Sequence, residues 1–284
     1  MKNSGMPLVS INVPTYNSEK TISETLKSIK AQSHKNIETI MIDSHSTDKT
    51  VEIAKKFGVK VVFYDGTLLG ARDVGVRNSK GKYILLLDSD QILDSTTVER
   101  GVKMLESGEY DMLWLYERSW KPKKLLEILY DADRELVQKN WREFIYPIGG
   151  VILPRFYRKE ILSKAFSNIP PKILPLCVAH DHAIIYYEAN KLSKKIGEIN
   201  NAVWHMEPWS WTNLFKKTYR YGITTRKLVE NKVYPELLRS KNKGRKIKCK
   251  DLKLSLQSNL LRLVRAIPYL YGYFTGKNKK IPGL

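Results

Sequence analysis

Two carboxylates, Asp88 and Asp90 in Asp88-Ser89-Asp90, follow directly on the apolar run Tyr83–Leu87. Set at the end of a strand, they share one small volume and repel each other until a cation or a proton relieves them. Oxygen ligands of this hardness suit Mg²⁺ or Mn²⁺, and either ion can bridge a diphosphate. Alone, Asp-x-Asp occurs by chance and often caps helices, so its setting carries the meaning. Two more polar clusters follow apolar runs in the same way, Pro14-Thr15-Tyr16-Asn17 and Asp43-Ser44-His45-Ser46-Thr47-Asp48. Tyr16 offers a ring to stack on a nucleobase, and Asp43 a carboxylate to accept from base N–H groups. Read only as structure, Tyr16 is a turn aromatic and Asp43 a capping or loop acid.

Elements must hold these clusters together. The spacing predicts strands at Leu8–Val13, Ile37–Ile42, Val59–Tyr64 and Tyr83–Leu87. Between them it predicts a helix over Ser18–Ala31 with Ser18 as N-cap, and one through Ala54 and Phe57, started at Ser46–Asp48 and closed by Gly58. A third follows over Gly70–Asn78. Short strands that are apolar throughout have both faces covered, as in a parallel sheet wrapped by helices. The alternation therefore implies a doubly wound α/β fold, which binds ligands beyond the carboxyl ends of its strands. All three polar clusters sit at such ends. After Tyr116 the rhythm breaks. Helices are expected over Lys123–Lys139, Ala179–Ala189, Trp209–Val229 and Leu252–Ile267. A strand is expected over Val151–Leu153 behind Gly149 and Gly150, and a loop around Pro170, Pro171 and Pro175. Trp114, Trp120 and Trp141 are readable either as core or as sugar- or lipid-binding surfaces.

At 284 residues and 42% hydrophobic, the chain can bury one large α/β core with an appendage, and disorder is excluded as a global description. Two cysteines, Cys177 and Cys249, match no metal-site spacing and point to a reducing, cytoplasmic setting. Neither a signal peptide nor a spanning helix is expected. The formal net charge of +20 is unevenly placed: Trp211–Leu284 holds 19 Lys and Arg against Glu230, Glu236 and Asp251. A nearly neutral body thus carries a basic region, suited to nucleic acid or to an anionic membrane surface, or serving only solubility. Within it, Leu256, Leu260, Leu263, Val264 and Ile267 fall at helical spacing beside Arg262 and Arg265, ahead of Tyr269, Tyr271, Tyr273 and Phe274. Such a helix either lies in a membrane interface or packs on the body.

Val9–Asn17, Asp43–Thr50, and Gly70–Gly75 through Gly81-Lys82-Tyr83 to Asp88-Ser89-Asp90 resemble the three opening motifs of the family 2 inverting glycosyltransferases, in order and spacing, over roughly residues 7–120. Beyond that, only Gly149-Gly150, Phe156–Lys159, His180-Asp181 and His205 are similar to the family's pattern. The resemblance implies a GT-A-type fold: a mostly parallel sheet flanked by helices, with a basic helical C-terminal extension. It divides the chain into a catalytic domain at 1–210 (a nucleotide-sugar half at 1–115, an acceptor half at 116–210) and the basic amphipathic region 211–284.

The resemblance further implies that Pro14, Thr15, Tyr16, Asp43, Arg72, Asp88 and Ser89 bind a nucleotide sugar. Asp90 and His205 would hold Mg²⁺ or Mn²⁺, and Asp181 would be the catalytic base, with His180 and His182 as cationic neighbours. Two positions depart from the family. Ser44 stands where a second acid is usual, which makes a guanine donor as reasonable as a uracil one. His180 replaces the usual Glu before the base. The implied activity is hexose transfer from GDP-mannose or UDP-glucose to a lipid-linked or glycan acceptor, at the inner face of the cell membrane. As plain structure, Asp181 would cap a helix and His205 would be a hydrogen-bonded structural histidine. The competing reading is a non-enzymatic nucleic-acid-binding protein working through the basic region. Against it, acidic strand ends repel phosphate unless a metal intervenes, so no nucleic-acid partner is expected.

Overall fold

The computed structural model describes residues 5–140, 146–148, 153–207, 210–241 and 251–276. Strand β1 (Val9–Thr15) is buried along its whole length, as the centre of a covered sheet requires. Helix α1 (Ile22–Lys30) buries Ile22, Leu26 and Ile29. It starts later than the sequence suggests. The Ser18 carbonyl accepts the first helical N–H, from Ile22, while the Ser18 hydroxyl turns to that of Ser89. Next come β2 (Ile37–Asp43) and α2 (Thr50–Lys56), which ends through Gly58 at φ 73°, a left-handed conformation that glycine adopts without penalty. Then follow β3 (Lys60–Phe63), α3 (Leu68–Asn78) and β4 (Tyr83–Leu86).

The second half runs β5 (Gln91–Leu93), α4 (Thr97–Glu106), β6 (Met112–Ser119), α5 (Leu125–Lys139), β7 (Phe156–Arg158) and α6 (Lys159–Asn168). It continues with α7 (Asp181–Leu192), β8 (Ile196–His205), α8 (Trp211–Glu230), α9 (Pro235–Lys241) and α10 (Leu252–Thr275). One sheet takes all eight strands in the order β3-β2-β1-β4-β7-β6-β8-β5. The first four are mutually parallel, as their alternation with helices requires. β7 then runs antiparallel to both β4 and β6, β8 runs parallel to β6, and β5 runs antiparallel to β8. Of the strand expected over Val151–Leu153, Leu153 lies outside any strand, and residues 149–152 are outside the described residues.

Apolar layers cover both faces of the sheet. On one face Ile22, Leu26, Val98, Val102 and Leu105 pack on β1 and β4; on the other, Leu69, Val76, Leu162, Phe166, Ile184 and Ile185 cluster with Ile84 and Leu86 of β4, Met112 of β6 and Tyr157 of β7. A third cluster joins Leu126 and Leu129 of α5, Leu214 of α8 and Leu261 of α10. α10 is longer than its sequence pattern suggested and continues through Pro268. It packs through Leu254, Ser258, Leu261 and Gly272, while Leu256, Leu260, Leu263 and Ile267 point outward. Of the five residues singled out by spacing, only Val264 packs inward, against the third cluster, so the inward stripe is otherwise a different one. Trp114 is core and Trp120 packs edge-on against Trp204. Trp141, and residues 242–250 of the basic run, lie outside the described residues. Among the described residues no helix is long and apolar enough to cross a membrane.

Candidate functional site

The carboxyl ends of β1, β2 and β4 emerge at one edge of the sheet. Thr15 pairs in register with Asp43, and its hydroxyl donates to the Asp43 carboxylate at 2.7 Å. Ser46 donates to the same carboxylate through its N–H and its hydroxyl, each at 2.7 Å. Asp43 is fully buried by these bonds and is not among the residues that line the cavity at this edge; Ser44 is. The two loops turn on left-handed residues, Asn17 at φ 49° and His45 at φ 56°. They are laced together by Asn17 N–H to Ser46 Oγ (2.8 Å) and Thr47 N–H to Asn17 Oδ1 (2.9 Å).

The cavity measures about 440 Å³. Pro14, Thr15, Tyr16, Arg72, Asp88, Ser89, Asp90, Asp181 and His205 all line it. Residues from five separate elements and their loops thus converge, as the sequence reading expected of them. The antiparallel pairing of β5 with β8 brings His205 in: it sits opposite Gln91, and the next residue, Met206, donates its N–H to the Asp90 carbonyl at 2.8 Å. One ligand atom from each of Asp88, Asp90 and His205 lies within 4.8 Å of the others. Two carboxylates and an imidazole make a donor set that fits Mn²⁺ or Mg²⁺. Behind His205, its Nδ1 is buried without a hydrogen-bond partner, 3.7 Å from Glu207 Oε2, which also lacks one. A carboxylate in that position orients an imidazole for metal binding.

A chain of alternating charges runs along the floor. Arg72, with no solvent exposure, donates from Nε to Asp181 at 2.6 Å and from Nη2 to Asp88 at 2.5 Å. Arg155 joins Asp88 (2.9 Å) to Glu117 (2.8 Å), and Arg134 joins Glu117 (2.5 Å) to Glu207 (2.8 Å). Burial would raise the Asp88 carboxyl, but Arg155 and Arg72 outweigh it and hold Asp88 well below the usual carboxylate range. Against the same effect of burial, Arg155 and Arg134 lower Glu117, and Arg134 lowers Glu207.

Asp181 opens α7, yet its carboxylate caps nothing; it turns to Arg72. The cation beside it is therefore this arginine, not a histidine. His180 hydrogen-bonds Thr225 on α8 at 2.8 Å. His182 is kept neutral, because burial and then Arg72 and Arg155 push it well below its ordinary value. Its Nε2 lies 2.8 Å from Arg155 Nη1, a donor only, so Nε2 accepts and the proton sits on Nδ1. Sequence reasoning missed Glu117, Arg134, Arg155, Glu207, Lys217 and Arg220. The only signal for any of them was Glu207, two residues after His205.

Residues 10–147 match the model of the family described as Glycosyl transferase family 2. Over 107 residues the chain is 36% identical to WfaP of Escherichia coli, a UDP-Glc:α-D-GlcNAc-diphosphoundecaprenol β-1,3-glucosyltransferase; the match covers 36% of this chain and 43% of WfaP. Matches to other curated relatives span 34% and 43% of their lengths, so the chain aligns with well under two thirds of each. Staphylococcus aureus TarS residues 1–349, solved with UDP-GlcNAc, superposes with a TM-score of 0.56 at 17% identity, covering 95% of this chain and 90% of that one. Glucosyl-3-phosphoglycerate synthase from Mycobacterium tuberculosis, solved with Mn²⁺, UDP-glucose and phosphoglyceric acid, gives 0.53 at 18% identity, covering 84% and 81%. At these identities the two structures establish a common fold. Residues 10–147, just under half of the chain, thus carry the glycosyl transferase family 2 pattern.

Proposed function

We propose that this chain is an inverting hexosyltransferase that uses a nucleoside diphosphate sugar with Mg²⁺ or Mn²⁺. The observation that carries the reading is the convergence of Asp88, Asp90, His205 and Asp181 on one cavity at the carboxyl ends of parallel strands. In this reading Pro14, Thr15, Tyr16 and Ser89 receive the nucleoside and sugar. Asp43 acts indirectly, by fixing the loop that presents Ser44. Asp88, Asp90 and His205 would hold the metal, whose chemistry is to neutralise the diphosphate as it departs.

Asp181 takes the proton from the acceptor hydroxyl. The oxygen then bonds to the anomeric carbon as the carbon–oxygen bond to the diphosphate breaks, with inversion. Arg72 orients Asp181 and Asp88 relative to one another. UDP-glucose is favoured as donor by the donors named for WfaP and for the mycobacterial synthase complex; GDP-mannose is favoured by Ser44 alone.

For the acceptor we propose a lipid-linked glycan reached at an anionic membrane surface. α10 exposes Leu256 (70%), Leu263 (65%), Ile267 (69%) and Phe274 (71%), and no acid occurs from Leu252 to Gly276, where Lys253, Arg262 and Arg265 lie. The test of the chemistry is direct. Mn²⁺-dependent binding of UDP-glucose or GDP-mannose is measured by calorimetry, then turnover. Asp181→Asn should keep donor binding and lose about 10²–10⁴-fold in turnover, and Asp90→Ala should lose the metal dependence. Wild-type turnover in Asp181→Asn would remove Asp181 as the base.

A further inference from the structure

Lys217 and Arg220 differ from every other cation of the cavity. They lie three positions apart on α8, on one helical face, and both line the same cavity as Asp90. Arg72, Arg134 and Arg155 each hold two carboxylates. Among the described residues, Lys217 and Arg220 have no carboxylate within ion-pair distance, and Arg220 Nε is buried without a hydrogen-bond partner.

Charge balance points the same way. Asp88, Asp90, Glu117, Asp181 and Glu207 carry two more charges than the three arginines between them can neutralise, and one divalent cation at Asp88, Asp90 and His205 would close that gap. Lys217 and Arg220 then remain as two uncompensated positive charges beside the metal position. Tyr221 raises the Lys217 ammonium, burial opposes it, and Asp90 adds to the rise, so Lys217 stays charged. A paired ammonium and guanidinium facing a polar cavity are suited to phosphoryl oxygens, the ammonium as a point charge and the guanidinium as a fork.

We propose that Lys217 and Arg220 form a diphosphate-binding pair that engages the oxygens a metal ion leaves free, an inference that rests on the transferase reading for the metal and not for the anion. The diphosphate has two possible sources, the leaving group of the donor and a diphosphate-linked acceptor. Its recognition chemistry is the same in both. The pair comes from α8, beyond the region matched by the family model.

The experiment uses the full chain with Mn²⁺ and titrates UDP, GDP, UMP and GMP. Inorganic pyrophosphate is then titrated on the protein with and without nucleotide. The variant is Lys217→Met with Arg220→Met. It removes no ion pair, so thermal unfolding should match wild type within a few degrees. If the donor is the source, nucleoside diphosphate affinity falls about tenfold or more per cation while monophosphate affinity holds. If the acceptor is the source, nucleotide affinities hold and the pyrophosphate isotherm is lost. The charge-keeping variant Lys217→Arg should retain binding within a few-fold in either case. Wild-type affinity of the double variant for both probes overturns the proposal, as does a wild-type protein that binds neither. A wild-type protein that binds pyrophosphate through these two residues, but no nucleotide, keeps the anion pair and removes the transferase reading.

Discussion

Arg72 uses Nε on Asp181 and Nη2 on Asp88, and its Nη1 is buried without a partner. A guanidinium so committed sets the spacing of two carboxylates to which the proposed mechanism gives different work. Glu117 plays the matching part further along, between Arg134 and Arg155. Glu117→Ala would leave two buried arginines each one carboxylate short, and should cost about 3 kcal/mol of stability, read as a lower denaturant midpoint. His182 makes stability depend on pH. The unfolded chain takes up a proton near the ordinary value of 6.5, whereas the folded imidazole stays neutral to a much lower pH. The unfolded state therefore binds more protons below pH 6.5, and stability should fall as pH drops through that window. His182→Gln should flatten the fall in melting temperature between about pH 7 and 5. Asp88 and Asp90 stood out in the sequence because they follow an apolar strand, whereas Asp181 and His205 were singled out only through the family resemblance. Glu117, Arg134 and Arg155 were not. Each looks like an ordinary surface charge in its own segment, and only the sheet order makes them neighbours.

At the scale of elements, the parallel half of the sheet follows from short apolar strands alternating with amphipathic helices. The mixed half does not, because three-residue strands such as β5 and β7 carry too little periodicity to read. The hairpin-like pairing of β5 with β8 spans more than a hundred residues and alone brings His205 to Asp90. α10 shows a different limit. A 24-residue helix with apolar residues on two faces offers two stripes, and spacing cannot say which packs. Backbone proximity decided it: a Cβ at Gly222 would stand 2.0 Å from the Tyr269 carbonyl, and one at Gly272 would stand 2.1 Å from the Tyr219 carbonyl. α8 and α10 therefore touch backbone to backbone. Gly222→Ala should push them apart at a cost of about 1–3 kcal/mol, seen as a lower melting temperature. It should also weaken diphosphate binding, since Lys217 and Arg220 ride on the same helix.

Across the whole molecule, the basic excess and the outward stripe of α10 occupy the same C-terminal part. Burying a large side chain in a membrane interface contributes on the order of 1.5–3 kcal/mol, and each basic residue near anionic lipid about 1 kcal/mol. Replacing Leu256, Leu263 and Ile267 by Ser should leave the fold intact, since all three are exposed. It should also release the protein from vesicles containing anionic lipid in a flotation assay. Vesicle binding equal to wild type would mean that the stripe does not meet the membrane.

α10 also has a place in time. It rests on α5, which carries Arg134, and on α8, which carries Lys217, with Leu261 packed between Leu129 and Leu214. A chain leaving the ribosome at about 5–20 residues per second has released all eight strands before this helix emerges. Until then α5 holds to β6 through Arg134 and Asp131, and α8 to His180 through Thr225, but neither has its contact with α10. The contacts of Leu261 with Leu129 and Leu214 thus form only once residues 252–275 have been released, so this side of the cavity is the late one to set.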